Sequence, residues 1–308
     1  MKHPKLFLTA FLLFFAAHAI AQDVNLDSLL EVDTNKKIKN ETHYTEATFK
    51  TTRLIDGHTV ETTQAGILDF KVSHRFGNVN DGLYQMFGLD QATMRLGFDY
   101  GINNRLTIGI GRSTFEKQYD GFIKYRALWQ SAGKNNIPVS VTLLSSIMIK
   151  TLHENIDTKK VTTQDKTSYA YQVMVARKFS ECFSLQLMPT LIHENLVDSA
   201  SMPNDLYSIG AGARVKLTKN SSINAEYYYQ IPDNKLPATY NTLSLGWEIQ
   251  TAGHVFSLHL SNSIGMTERT FIAENREGRW GFGDKGSIHF GFNISRVFTI
   301  KKPKEAKR

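Results

Sequence analysis

One cysteine, Cys182, in 308 residues leaves no disulfide framework to build. It lies far from the N-terminus, so there is no lipoprotein cysteine to acylate. After the first residues, no apolar run approaches the ~20 residues that a spanning helix needs, so any passage through a bilayer must be made by strands. The histidines His43, His58, His74, His153, His193, His254, His259 and His289 are scattered, with no pair at ligand spacing beside a carboxylate, and no metal site or cofactor is expected. The glycines of Gly109-Ile110-Gly111 fall inside an expected strand with no helix after them, which excludes a phosphate-binding loop. The net charge of +7 falls to +5 without Lys2 and Lys5, and much of the excess sits in the basic tail 301–308. That tail comes with no stacking platform or recognition motif, so nucleic acid is not an expected partner.

What is present begins with an export signal. Lys2 and Lys5 form a positive start, residues 6–17 a short apolar core, and Ala19-Ile20-Ala21 the small-x-small sequence read by signal peptidase. Residues 1–21 are therefore expected to be removed, leaving Gln22 first. Residues 22–63 are polar and without a sustained strand pattern, and are read as a periplasmic N-terminal segment. Its isolated apolar side chains Ala47, Phe49, Leu54, Ile55 and Val60 are enough to dock it but not to make a core, and it is expected to plug or brace a barrel mouth.

From residue 64 to about 300 one unit repeats: a run alternating apolar with polar, then a turn. In residues 91–102, Met94, Leu96, Phe98, Tyr100 and Ile102 share one face while Thr93, Arg95, Gly97, Asp99 and Gly101 share the other. About twelve such runs follow one another, an even number, as in single-chain bacterial barrels. The connections alternate as well. Those at 103–104, 180–182, 219–222 and 251–253 are tight, whereas those at 78–91, 152–166, 195–205, 232–240 and 262–285 are long and fall on one side; 114–118 is the one short loop on the long side, and 131–137 the one stretched turn on the other. The sequence thus predicts an all-β protein: a transmembrane, antiparallel, up-and-down β-barrel of about 12 strands in the outer membrane, with the periplasmic extension before it and the basic tail 301–308 after it.

Several stretches have a familiar wording: YTEATFKTTRLIDGHTVE at 44–61, FKVSHRFGNVNDG at 70–82, YGINNRLTIGIGRSTFEKQYDGFIKYR at 100–126 and FGFNISRVF at 290–298. Over about 44–298 the chain resembles a β-barrel family of unknown function from Bacteroidetes outer membranes. The resemblance implies an outer-membrane barrel and brings no activity and no catalytic residues.

If the apolar faces look outward, the opposite faces line the lumen. Asp69, Lys71, Arg75, Arg95, Asp99, Lys124, Arg126, Lys150, Arg214, Lys216, Glu226 and Glu248 are expected there, together with Asp120, Lys178 and Glu194. Nine of these fifteen are basic, an excess that favours anions in a narrow bore. Two readings stand side by side: passive transport or binding of small anionic solutes, and a closed, salt-bridged scaffold that engages a periplasmic partner. The partners expected are outer-membrane lipid, small solutes and the barrel-assembly machinery that inserts such proteins. One enzyme reading remains, because His259-Leu260-Ser261-Asn262 resembles the His-x-Ser-Asn of outer-membrane lipid hydrolases, with Ser261 as nucleophile and His259 as base. Against it, both side chains take the inward face, and the residues opposite His259 are about 244–246 rather than the acidic Glu248. The loop 267–286, with Arg269, Arg276, Arg279 and Trp280, is a candidate for a surface ligand.

Overall fold

The computed structural model describes residues 41–152, 161–197, 202–283 and 285–302. The expected signal 1–21 and residues 303–308 of the basic tail lie outside the described residues. The chain divides into a large unit, 44–132 with 136–308, and a small one to which residues 41–43 and 133–135 belong. In the small unit the Lys134 N–H donates to the Glu41 carbonyl at 3.1 Å.

In the large unit, twelve strands close on themselves. They are β1 Ile67–Asn78, β2 Ala92–Asn103, β3 Leu106–Ser113, β4 Tyr119–Leu128, β5 Ser140–Ile149 and β6 Thr167–Lys178. The second half adds β7 Phe183–Glu194, β8 Asp205–Lys216, β9 Ser221–Gln230, β10 Thr242–Gln250, β11 His254–Ser261 and β12 His289–Thr299. Each strand pairs antiparallel with its neighbours in sequence, and β12 closes on β1 with Ile294 opposite Val72. The periodic runs read from the sequence each correspond to one strand, because period-two alternation is what a sheet with two different faces requires. Closure leaves no open edge.

Turn chemistry sorts the two ends. Between β2 and β3, Asn103 Oδ1 accepts from the Arg105 and Leu106 amides at 2.8 and 2.9 Å, a local bond that makes a tight turn. The β3–β4 connection, the short one on the long side, is a single 3-10 turn at Phe115–Lys117.

The faces are inverted relative to a water-soluble protein. Leu96 and Phe98 are 37% and 43% exposed on the outside, while Arg95 and Asp99 on either side of them are 1% and 0% exposed. The interior is filled rather than open. Residues 48–63 run among the inward faces, and Phe49, Leu54 and Val60 belong to a buried apolar cluster with Leu144, Met148, Met174 and Met188 of the wall. This differs from the sequence reading, in which those side chains docked without making a core. The wall carries inward apolar residues on β5 to β8 that give them a surface to pack against.

Candidate functional site

The inserted segment 48–63 has almost no regular structure, so its peptide groups need partners, and in a bore closed to bulk water the wall must supply them. Lys124 on β4 donates to the carbonyls of Thr52, Thr59 and Glu61 at 3.0, 3.2 and 2.8 Å. Beside it Arg126 donates to the Val60 carbonyl at 3.3 Å and to the Glu61 carboxylate at 2.6 Å. Gln186 on β7 accepts from the Val60 amide at 2.7 Å and donates to the His58 carbonyl at 2.8 Å, and Thr142 donates to the Val60 carbonyl at 2.8 Å.

The tip of the segment, Ile55-Asp56-Gly57, exchanges carboxylates with the wall. Glu226 on β9 accepts from the three successive amides at 3.3, 2.6 and 3.3 Å, a small anion nest made of plug backbone. In the other direction, the Asp56 carboxylate is held by the Arg75 guanidinium on β1 and by Ser244 and Ser261 at 2.7 and 3.2 Å. Gly57 is required here: a Cβ on it would lie 1.8 Å from the hydroxyl of buried Tyr228.

The remaining inward charges pair within the wall. Arg95 and Asp120 make a two-bond ion pair, one bond at 2.9 Å. Lys71 pairs with Asp69 and lies 3.5 Å from Asp99, whose other partner is the Thr52 hydroxyl at 3.0 Å. Arg214 and Glu248 are bridged by the Ser222 hydroxyl at 3.2 and 3.0 Å. Lys150 and Lys216 stand at strand ends, the former 3.3 Å from Glu116 and the latter half-buried at the end of β8.

The β11–β12 loop enters the bore from the opposite end. Its turn Arg269–Ala273 is buried, and Thr242 and Gln230 of the wall donate to the carbonyls of Phe271 and Ile272. The two insertions meet where Glu268 lies 3.6 Å from Arg53 and 3.4 Å from His58. Arg269 points inward, to Glu116 and Glu274 at 2.7 and 2.6 Å and Glu194 at 3.7 Å, and these groups border a cavity of about 500 Å³ at the long-loop end. Arg279, from the same loop, is exposed.

The Glu274 carboxyl is pushed up to about 7 by burial, with Arg269 and Lys150 opposing and Glu194 and Glu116 reinforcing. The ordinary value is 4.5, so the folded loop holds a proton that the unfolded loop releases. Its stability is greatest below pH 4.5 and falls as pH rises to about 7. Glu274→Gln is expected to flatten that fall. Chemical denaturation followed by Trp280 fluorescence at pH 4.5 and 7.5 measures it.

His259 and Ser261 share the inward face of β11, with His259 opposite Gly246. The buried imidazole is met by the Ser257 backbone and by no side-chain hydrogen-bond partner, and Ser261 bonds Asp56 and Ser244 instead. The two side chains are thus not coupled as nucleophile and base. The residues that sequence reasoning missed are those of the insertions: Asp56, Glu61 and Glu268, with Gln186 and Ser244 that meet the plug. Asp56-Gly57 signals a turn, but nothing in the sequence locates that turn in the bore.

Fold and site together define a membrane-type β-barrel with an occupied bore. The chain belongs to the family described as Membrane bound beta barrel domain (DUF5777), whose model matches residues 49–298, and so takes in both the plug and the strands. No curated protein matches it. Similar solved structures include the NanC porin, at 10% identity and TM-score 0.47, covering 74% of this chain and 98% of that one. The KdgM porin is similar at 8% identity and TM-score 0.45, covering 75% and 99%. An outer-membrane channel from Pseudomonas putida F1 is similar at 13% identity and TM-score 0.45, covering 78% and 98%.

Proposed function

We propose that this membrane-bound barrel sits in the outer membrane, rests shut, and passes small anionic solutes when segment 48–63 leaves the bore. The signal-like N-terminus and the sorted loops support export and insertion by the barrel-assembly machinery, with the long loops facing outward. The Bacteroidetes membrane implied by the sequence resemblance is the setting that fits.

The observation that carries the reading is where three cations spend their charge. All the bonds of Lys124 and of Arg126 described above run to the plug, and the carboxylate held by Arg75 is the plug's Asp56. Withdrawal of the segment leaves these three groups facing vacated, low-dielectric space beside the β11–β12 loop, which favours anions. Because the plug is attached by side-chain bonds and packing rather than by strand pairing, it is separable from the closed wall.

A second reading is supported by the contact of Glu268 with Arg53 and His58: a barrel filled from both ends serves as a closed scaffold for a periplasmic partner. Planar-bilayer recording decides between them. Transport predicts rare openings with anion selectivity, whereas a scaffold predicts no current in any salt. Cation-selective openings would remove the anionic part of the proposal.

A further inference from the structure

The hold on the plug's Asp56 uses parts that belong to the wall. Arg75 is oriented by the Asn293 side-chain oxygen at 3.1 Å and by the His74 carbonyl at 2.9 Å. Ser261 accepts from the Ser263 amide at 3.1 Å, and its hydroxyl lies 2.8 Å from that of Ser244, its register partner across β10 and β11. One guanidinium and two hydroxyls are therefore set in place by groups outside the plug, arranged to take both oxygens of one carboxylate.

A second feature lies beside them. His259 is 3% exposed, and with the Ser257 backbone meeting one ring nitrogen, no side chain bonds the other. It adjoins Arg75 over Gly291, where a Cβ would come within 2.5 Å of His259 Nε2 and 2.8 Å of Arg75 Cδ. A buried imidazole with one ring nitrogen left unpaired costs free energy, and Asp56 does not relieve it. The site thus has hydrogen-bonding capacity next to its carboxylate cradle that an aspartate side chain leaves unused.

We propose that Arg75, Ser244 and Ser261 form a carboxylate-binding site in which Asp56 is an internal stand-in, and that the vacated site binds a small organic acid carrying a hydroxyl or carbonyl group within reach of His259. The carboxylate takes the place of Asp56, and the neighbouring polar group bonds the imidazole. This gives the His-x-Ser pair a binding role instead of a nucleophilic one. The inference rests on the plug-release reading for its physiological use, but the site itself is testable with the plug in place.

The test uses the full chain carrying Asp56→Ala in lipid, with thermal midpoint read against added acetate, lactate, acetamide or chloride at equal ionic strength. A ligand that binds the folded state raises the midpoint in proportion to its occupancy. Acetate and lactate are expected to raise it, with lactate effective at about 10-fold lower concentration because it adds a bond to the imidazole. Acetamide and chloride are expected to do nothing, and Asp56→Ala with Arg75→Gln to respond to none of the four. Equal responses to acetate and acetamide, or a double variant that responds like the single one, would overturn the site. Equal potency of lactate and acetate would overturn the role of His259. Should Asp56→Ala fail to fold, Asp56→Ser keeps a small polar side chain and gives the same readout. Carboxylate responses without any bilayer current would leave the site standing and remove transport; anion-selective current without carboxylate responses would do the reverse.

Discussion

Lys124→Met is expected to open the barrel. The methionine keeps most of the buried volume but removes the ammonium, so the carbonyls of Thr59 and Glu61 lose this donor while that of Thr52 keeps only the Thr59 amide at 3.0 Å. A buried acceptor left unpaired costs ~1–3 kcal/mol, and the loss of three charge-assisted bonds, two of them leaving a carbonyl without this donor, weakens the plug by about 3 kcal/mol. That corresponds to roughly a 100-fold rise in the released fraction. The wall should remain intact, because its ladders close around the bore without the plug. Planar-bilayer open probability should rise by about that factor, and residues 48–63 should become susceptible to protease at the short-turn end. A variant as quiet and as resistant as the wild type would show that the segment is a permanent part of the core. The same result would favour the closed scaffold.

The strands were legible because each has two solvents. Met94, Leu96 and Phe98 alternate with Arg95, Gly97 and Asp99, and that pattern has few readings other than a wall with an apolar outside and a polar inside. The occupied bore was not legible, for a physical reason. Ile55, Asp56 and Gly57 bond a carboxylate about 170 positions away, at Glu226, and such pairing leaves no local period. Nor does an irregular loop buried by side-chain donors carry a pattern of its own.

One hint was available on the wall. In Ser140–Ile149, Leu143 and Ile147 face outward while Leu144 and Met148 face inward, so that strand is apolar on both faces. Together with Met174 and Met188 on the following two strands, this marks a stretch of wall that meets protein rather than a wet lumen. The basic excess of the inward faces was also visible, but its partners were not. An unpaired charge in sequence is often a paired one in space, and here Asp56 and Glu61 supply the missing acids.

Ile110→Arg tests the claim on which the exterior rests. Ile110 lies near the middle of β3, opposite Phe98 on one side and Gly121 on the other, and is 66% exposed. On a soluble protein, arginine at so open a position would change stability by no more than about 0.5 kcal/mol. Facing the middle of a bilayer, the same substitution is expected to cost ~2–4 kcal/mol, since the guanidinium must either lose its water or bend away to the interface. The register neighbours offer it no hydrogen-bond acceptor or counter-charge on a side chain: Phe98 is apolar, and Gly121 has no side chain. Reversible denaturant titration in lipid vesicles, followed by the mobility difference between folded and unfolded chain on gels, measures the change. A matched titration in detergent micelles, where water reaches the belt more easily, should show a smaller loss. An unchanged midpoint in vesicles would mean that this face does not contact hydrocarbon. The transport reading and the carboxylate site's physiological use would then lose their setting, although the wall and its plug would remain as described.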